Sequence, residues 1–369
     1  MKRKGFFIIF MLCILLVGCG VNPFGEKLEE NWRPSKEPYL TTMGYSAKLS
    51  GDYLVMLEEG LHIIDLSTKE IIKEIELPHG FVGGFAISGT RIVWSAYSNE
   101  GEAGKDYFYD ESTNTDIFLY DIIEDTTVSI ATNSSGQIAP DIWGDYIVWQ
   151  DNRNDKVRDQ NPEWDIILYH IPTKEEKLIT TAPGSHTNPK INDNIVVWED
   201  GRNFTGESHL RWGSNVPENN TDIFLYQILT GEERAVATGK LQECHPSVYG
   251  NYILWEDRSK NGLDADIILY DIENSKETRI TDGRHNQAYP QIYDRYIIWM
   301  DERNGISTND VIMNNKMPNS DIFLYDLEEK KEYLLTGEEP QIMPVISEKY
   351  IAYITSRQVD PEIVLIKYK

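Results

Sequence analysis

The sequence predicts an all-β ring, a seven-bladed β-propeller of four-stranded antiparallel blades whose last blade is closed by an N-terminal strand. Three observations predict it. Trp94, Trp149, Trp198, Trp255 and Trp299 each end a short apolar run, such as Tyr146, Ile147 and Val148 before Trp149. Each run is followed by an Asp-Ile-x-Leu-Tyr block, beginning at Asp116, Asp165, Asp222, Asp266 and Asp321. Prolines at 140, 189, 246 and 290 precede tryptophan runs and Pro344 precedes the run Tyr350–Tyr353, at intervals of 44–57 residues, close to the period of a propeller blade. A helical solenoid is excluded, because no 3.6-residue pattern of apolar residues accompanies the period.

Taken from the N-terminus, residues 1–18 read as a targeting segment. Lys2, Arg3 and Lys4 form a charged start, and the apolar stretch from Gly5 to Val17 is too short to span a bilayer comfortably. It ends in Leu16, Val17, Gly18 and Cys19, which resembles the lipobox of bacterial lipoproteins. The resemblance implies cleavage before Cys19 and a diacylglycerol thioether on its sulfur, often with an acylated amine. Two or more acyl chains suffice for stable anchoring, since each buried methylene contributes about 0.8 kcal/mol. Residues 19–36, with Pro23, Gly25 and Pro34, read as a tether.

Residues 37–369 carry the repeat. Strand a is expected to be short and to follow the proline. Strand b is the tryptophan run, strand c the Asp-Ile-x-Leu-Tyr block, and strand d an amphipathic run ending at a threonine such as Thr180, Thr281 or Thr336. Strands b and c are almost continuously apolar, the pattern of strands covered on both faces. The frame persists in degraded form around Trp94 and, with Met56 in the tryptophan position, around Tyr53. The C-terminal repeat has strand b at Tyr350–Tyr353 and strand c at Glu362–Ile366 but no strand d. Glu37–Thr42 resembles a strand d without its blade, so pairing the two ends would close the ring and remove two exposed edges.

The combined frame, with an Asp-x-Arg-Asn signature after strand b in three repeats, resembles the TolB-type β-propeller repeat of bacterial envelope and archaeal surface proteins. The resemblance covers residues 37–369 and is strongest in the second to sixth blades. It implies a binding scaffold, since propellers of this type mostly act as such.

Whatever recurs in every repeat is read as architecture. The acid–arginine pairs at Asp151 and Arg153, Asp200 and Arg202, and Asp301 and Arg303 are expected to staple neighbouring strands or blades, and the tryptophans to pack between blades. Cys244 reads as a spacer without a disulfide partner. Chemistry is sought where the repeat breaks. The histidines do not repeat: His186, His245 and His285 fall just before strand a of three consecutive blades, on the face of the channel mouth. Imidazoles converging there would suit a divalent metal, but their unequal offsets from the prolines predict that they diverge. The b–c loops vary most, and long loops on a rigid rim are where binding surfaces concentrate. The candidate ligand face therefore comprises Tyr107, Tyr109, Trp164, His209, Trp212, His186, His245 and His285. No catalytic residue, metal ligand or cofactor is expected, as phosphate-loop, dinucleotide and nucleophile-elbow motifs are missing.

The net charge of −25 argues against nucleic acid and anionic headgroups as partners. The functional expectation is an extracytoplasmic, membrane-anchored lipoprotein whose propeller binds an envelope protein or a glycan without catalysis. The alternative is a metal-assisted lyase or hydrolase acting on an oligosaccharide at the channel mouth. Replacing Cys19 by serine should leave an unprocessed or released protein, seen by membrane fractionation and metabolic labelling with palmitate. A variant still processed and membrane-bound like wild type would refute the anchor.

Overall fold

The computed structural model describes residues 38–77, 81–97, 114–155, 163–180, 182–203, 221–239, 242–258, 264–283, 285–304, 320–336, 340–355 and 361–368. These form seven four-stranded antiparallel sheets and, among the described residues, no helix. Blade 1 consists of Ser46–Ser50, Tyr53–Leu57, Leu61–Asp65 and Glu70–Ile75, and blade 2 of Phe81–Ser88, Arg91–Tyr97, Thr115–Asp121 and Thr126–Ala131. Blade 3 is Gln137–Trp143, Tyr146–Asp151, Asp165–His170 and Glu175–Leu178. Blade 4 is His186–Asn192, Ile195–Asp200, Asp222–Gln227 and Glu232–Ala237. Blade 5 is Glu243–Tyr249, Tyr252–Asp257, Asp266–Asp271 and Lys276–Arg279. Blade 6 is Gln287–Tyr293, Tyr296–Asp301, Asp321–Asp326 and Lys331–Leu334. The strands of each blade are called a to d in this order.

Blade 7 contributes Gln341–Ile346, Tyr350–Thr355 and Glu362–Lys367, and its outer strand is Leu40–Met43 from the other end of the chain. Leu40 faces Leu365 and Met43 faces Glu362. The closing strand is also tied to blade 1, where the Tyr39 hydroxyl donates to the Leu66 carbonyl at 2.6 Å and Lys69 Nζ to the Tyr39 carbonyl at 2.8 Å. The a strands of successive blades contact one another all the way round, blade 7 meeting blade 1, so they line a central channel.

Apolar strands b and c form the seams between blades. Trp149 packs with Ala86, Val93 and Ile117 of blade 2, and Trp198 with Val148, Ile166 and Leu168 of blade 3. Both indoles are completely buried. Such an indole needs an acceptor for its N–H. The aspartate two residues on supplies it, at 3.1 Å for Trp149, 2.8 Å for Trp198 and 2.8 Å for Trp299. The same aspartate binds the arginine that follows it. That arginine reaches strand d of its own blade, as Arg153 does to Glu176 at 2.6 Å and Arg303 to Glu332 at 2.6 Å. The asparagine next in line bonds the first aspartate of strand c, as Asn154 does to Asp165 at 2.9 Å. The signature therefore holds together strands b, c and d within one blade. The threonine expected to end strand d lies two residues past it and accepts a strand-c N–H, at 2.9 Å from Ile166 to Thr180 and 2.8 Å from Ile267 to Thr281.

Strand a departs from the expectation that it follows the proline. It begins three residues earlier, at Gln137 in blade 3 and His186 in blade 4, and the proline sits inside it. The chain tolerates this because the register slips around the proline, between Ile138 and Asp141 in blade 3. A bulge at that point removes the need for the N–H that proline lacks.

Trp198→Ala should cost about 3–5 kcal/mol by opening a cavity between blades 3 and 4, read as a fall in the urea midpoint with an unchanged slope. Removing residues 38–43 should lower thermal stability through the exposed edge of Glu362–Lys367. A truncated protein as stable as the full chain would show that ring closure contributes nothing.

Candidate functional site

The residue before each strand-a proline is a non-glycine residue in the left-handed region: φ is 52° at Ala139, 52° at Asn188, 51° at His245, 54° at Tyr289 and 51° at Met343. This conformation costs an L-residue roughly 1–2 kcal/mol. Three of the five N–H groups are captured by the side chain that follows the tryptophan of the preceding blade, which offsets that cost. Gln150 accepts from Asn188 at 2.9 Å, Glu199 from His245 at 2.8 Å and Glu256 from Tyr289 at 2.8 Å. Blade 2 makes its bend with two glycines, Gly84 at the equivalent position with φ 127° and Gly83 before it with φ 74°, where a Cβ would come within 2.7 Å of the Ile138 Cβ. The bulge turns these side chains toward the channel. Tyr289 and Met343 are 37% and 43% exposed on innermost strands that are otherwise largely buried. The backbone repeats at this position while the side chain does not.

Blade 5 breaks the repeat a second way. Arg153, Arg202 and Arg303 lie four residues after their tryptophans, but Arg258 lies three after Trp255. Successive strand side chains point to opposite faces, so losing one residue sends the arginine to the other face. Arg258 accordingly binds Glu256 at 2.8 Å, and Arg279 binds Asp257 at 2.7 Å. Glu256 is completely buried and accepts from His245 Nδ1 at 2.7 Å, from Arg258 and from the Tyr289 N–H. The His245 ring lies against Tyr289, centroids 5.1 Å apart, and Cys244 Sγ is 3.7 Å from Glu256.

The charges of this cluster follow from its contacts. Burial raises the pKa of Glu256, but His245 and Arg258 outweigh it and keep the carboxylate ionised. Burial and then Glu256 push the Cys244 thiol up, so it stays neutral and unreactive. Burial also works against the charge on His245, yet its bonds to Cys244 and Glu256 raise its pKa far above the usual histidine range. With the thiol neutral, Glu256 is the group that holds His245 protonated. Cys244, His245 and Glu256 place ligand-type atoms within 4.8 Å of one another. Ligands about 2.0–2.1 Å from a zinc ion at tetrahedral angles would stand roughly 3.3 Å apart. The 2.7 Å separation of His245 and Glu256 is instead a proton-bridged contact, and Arg258 occupies the other carboxylate oxygen. The arrangement fits an ion network better than a metal cage.

The three histidines singled out from the sequence are placed apart. His186 and His245 lie within strand a rather than in the connection before it, and His285 precedes strand a of blade 6. His186 is completely buried, 3.6 Å from both Asp165 and Asp200. His285 offers its carbonyl to Gln287 Nε2 at 2.5 Å. Trp164 is half-buried and packs with Tyr97 and Ile138. Cys19, Tyr107, Tyr109, His209 and Trp212 lie outside the described residues. No motif in the sequence singled out Asn188, Glu256 or Tyr289, and Arg258 read only as part of a shortened acid–arginine staple, Asp257–Arg258. Aligning the residues before the prolines would have shown a column that changes chemistry in every blade, and the shortened Asp257–Arg258 motif marked the deletion.

The first residue of strand a is glutamine in blades 3, 6 and 7 (Gln137, Gln287, Gln341) but Glu243 in blade 5. Burial and then the facing Asp222 raise the Glu243 pKa from 4.5 to about 8. Because the folded pKa exceeds the unfolded one, its stabilising contribution is complete below pH 4.5 and is lost as pH rises through 8. Glu243→Gln should leave Tm unchanged near pH 4 and raise it at pH 8–9, by on the order of a few kcal/mol in stability. An equal effect at both pH values would show that Glu243 is ionised in the fold.

No protein-family model matches this sequence, and no curated protein does. Solved structures are similar in fold. The β-propeller domain of the Trilobed protease from Pyrococcus furiosus aligns at TM-score 0.62 and 11% identity, over 89% of this chain and 98% of that domain. Oligogalacturonate lyase from Vibrio parahaemolyticus aligns at TM-score 0.56 and 11% identity, over 91% of this chain and 96% of the lyase. TolB from Acinetobacter baumannii reaches 0.45 at 11% identity, over 87% and 80% of the two chains, and decides nothing. At such identities the likeness is one of fold: the chain is a seven-bladed propeller, similar in fold to the propeller of a protease and to a lyase.

Proposed function

We propose that this chain is a lipid-anchored, extracytoplasmic lipoprotein whose propeller binds an envelope protein or glycan at the channel mouth of blades 4 to 6 without chemically altering it. One observation carries the reading: the left-handed position before the proline repeats as backbone but changes from Asn188 to His245 to Tyr289, neighbours on one arc of the wall. Architecture has no use for that variation, whereas a ligand has. In blades 2 and 3 the corresponding residues, Gly84 and Ala139, carry little or no side chain. A polar, partly aromatic wall suits recognition of an extended ligand. Strong net negative charge, −25, disfavours nucleic acid.

A second reading, a metal-assisted lyase or hydrolase acting on an oligosaccharide, is favoured by the nearness of Cys244, His245 and Glu256. It is weakened by the contacts of Arg258 and His245 with Glu256 described above.

The test is site-specific photo-cross-linking on native membranes. A photoreactive residue in place of Met343, at the mouth, should cross-link a discrete product. One in place of Leu229, 83% exposed at a turn between strands c and d, should not. Adding Asn188→Ala and Tyr289→Ala should abolish the product while the fold persists by circular dichroism. Equal labelling from both positions, or from neither, would sink the proposal.

A further inference from the structure

One level below the mouth, register identifies the equivalent strand-a residue of every blade by its strand-b partner. Lys48 faces Val55, Ala86 faces Val93, Asp141 faces Val148 and Lys190 faces Val197. Ser247, Gln291 and Val345 stand opposite Leu254, Ile298 and Ala352 in blades 5 to 7. In a chain of net charge −25 this ring holds two lysines and a single carboxylate. Cations outnumber anions there, against the balance of the whole molecule.

The two lysines come from blades 1 and 4, which do not touch, so the channel is where their ammonium groups can face each other. Burial lowers the pKa of each, and Lys190 lowers that of Lys48 further; Asp141 works the other way on both, and Glu199 does so on Lys190. Lys190 is partly satisfied, donating to Asn188 Oδ1 at 2.7 Å and to the Pro189 carbonyl at 3.1 Å. Asp141 is partly used up, accepting the Ile191 N–H at 2.9 Å. Lys48 makes no hydrogen bond or ion pair among the described residues. The Ser247 hydroxyl, on the same level, is likewise unpartnered among them. Two amino groups on one level share the single carboxylate of Asp141, and an anion between them relieves their mutual repulsion. Directly above, His245 has committed Nδ1 to Glu256, and its side chain is half-exposed.

We propose that the channel is an anion site: an oxyanion, the carboxylate or phosphate of a bound ligand, sits between Lys48 and Lys190 with His245 above it. The inference rests on the channel-mouth binding reading and names the ligand group that enters deepest. Asp141 then keeps the level from accepting a second anion, and the Tyr289 and Met343 side chains contact the remainder of the ligand at the rim.

Thermal unfolding of the full folded chain, titrated with malonate in one arm and inorganic phosphate in the other at constant ionic strength, tests this. At least one arm should give a saturable rise in Tm that sodium chloride does not, and the stronger arm identifies the group. Lys48→Met, which keeps the apolar stem, should weaken that response about tenfold or more. In anion-free buffer the same variant should melt at the same temperature as wild type or higher, because like-charge repulsion is relieved. Lys349→Met, at a partly exposed ion pair with Asp52, serves as the control and should leave the titration unchanged. No saturable response in either arm, or equal responses in wild type and Lys48→Met, would overturn the anion site. Persistence of the Met343 cross-link in that event would confine the failure to the ligand's charge, and loss of both would remove the binding reading too.

Discussion

The fold depends on one recurring contact, a buried indole at the seam between blades whose N–H is bonded to the aspartate two residues along the same strand. Trp149, Trp198 and Trp299 are completely buried, and each has its aspartate within 3.1 Å. The indole supplies the area that welds one blade to the previous one. The aspartate satisfies the buried donor and, through its other contacts, recruits the arginine that reaches strand d. Apolar packing between blades and polar closure within a blade are thus coupled at a single residue pair. A blade cannot bury its faces alone, so these seams and the final closure by Leu40–Met43 make the ring one cooperative object.

The wall of the channel is built by a second device, the bulge before the strand-a proline. Its backbone recurs in blades 3 to 7, and in blades 4 to 6 it is held by a side chain from the neighbouring blade. Because the scaffold is fixed by backbone and clip, the projecting side chain is free to vary. Ala139, Asn188, His245, Tyr289 and Met343 have little in common beyond their position. Separation of a constant frame from a variable lining is what a binding cavity requires, and here it arises within single strands rather than in loops alone.

Blade 5 shows how small a change relocates chemistry. Deleting one residue after strand b moves an arginine from the blade interior to the channel side, where it joins Glu256 and His245. Glu256 holds two cations, His245 and Arg258, with one carboxylate. One level below, Lys48 and Lys190 stand on the ring that carries the single carboxylate of Asp141.

By itself the sequence determined the fold class, the number of blades and the closure by the N-terminal strand. Each of these is written as a local period or as a missing strand at one end and a spare one at the other. It also marked which residues are architecture, since Trp149, Asp151 and Arg153 recur in register. Only the tertiary structure decided the rest. Pro140 and its counterparts were visible, but not that they lie inside strand a beside a left-handed residue, because a bulge depends on the partner strand's register. The three histidines all fall before strand-a prolines but at unequal offsets: His186, three residues before Pro189, is buried between two aspartates, while His245, one residue before Pro246, sits at the bulge and is half-exposed. Lys48 and Lys190 carry no motif at all. They are brought to one level of one channel by the curvature of seven sheets, and long-range convergence of that kind leaves no trace in local sequence.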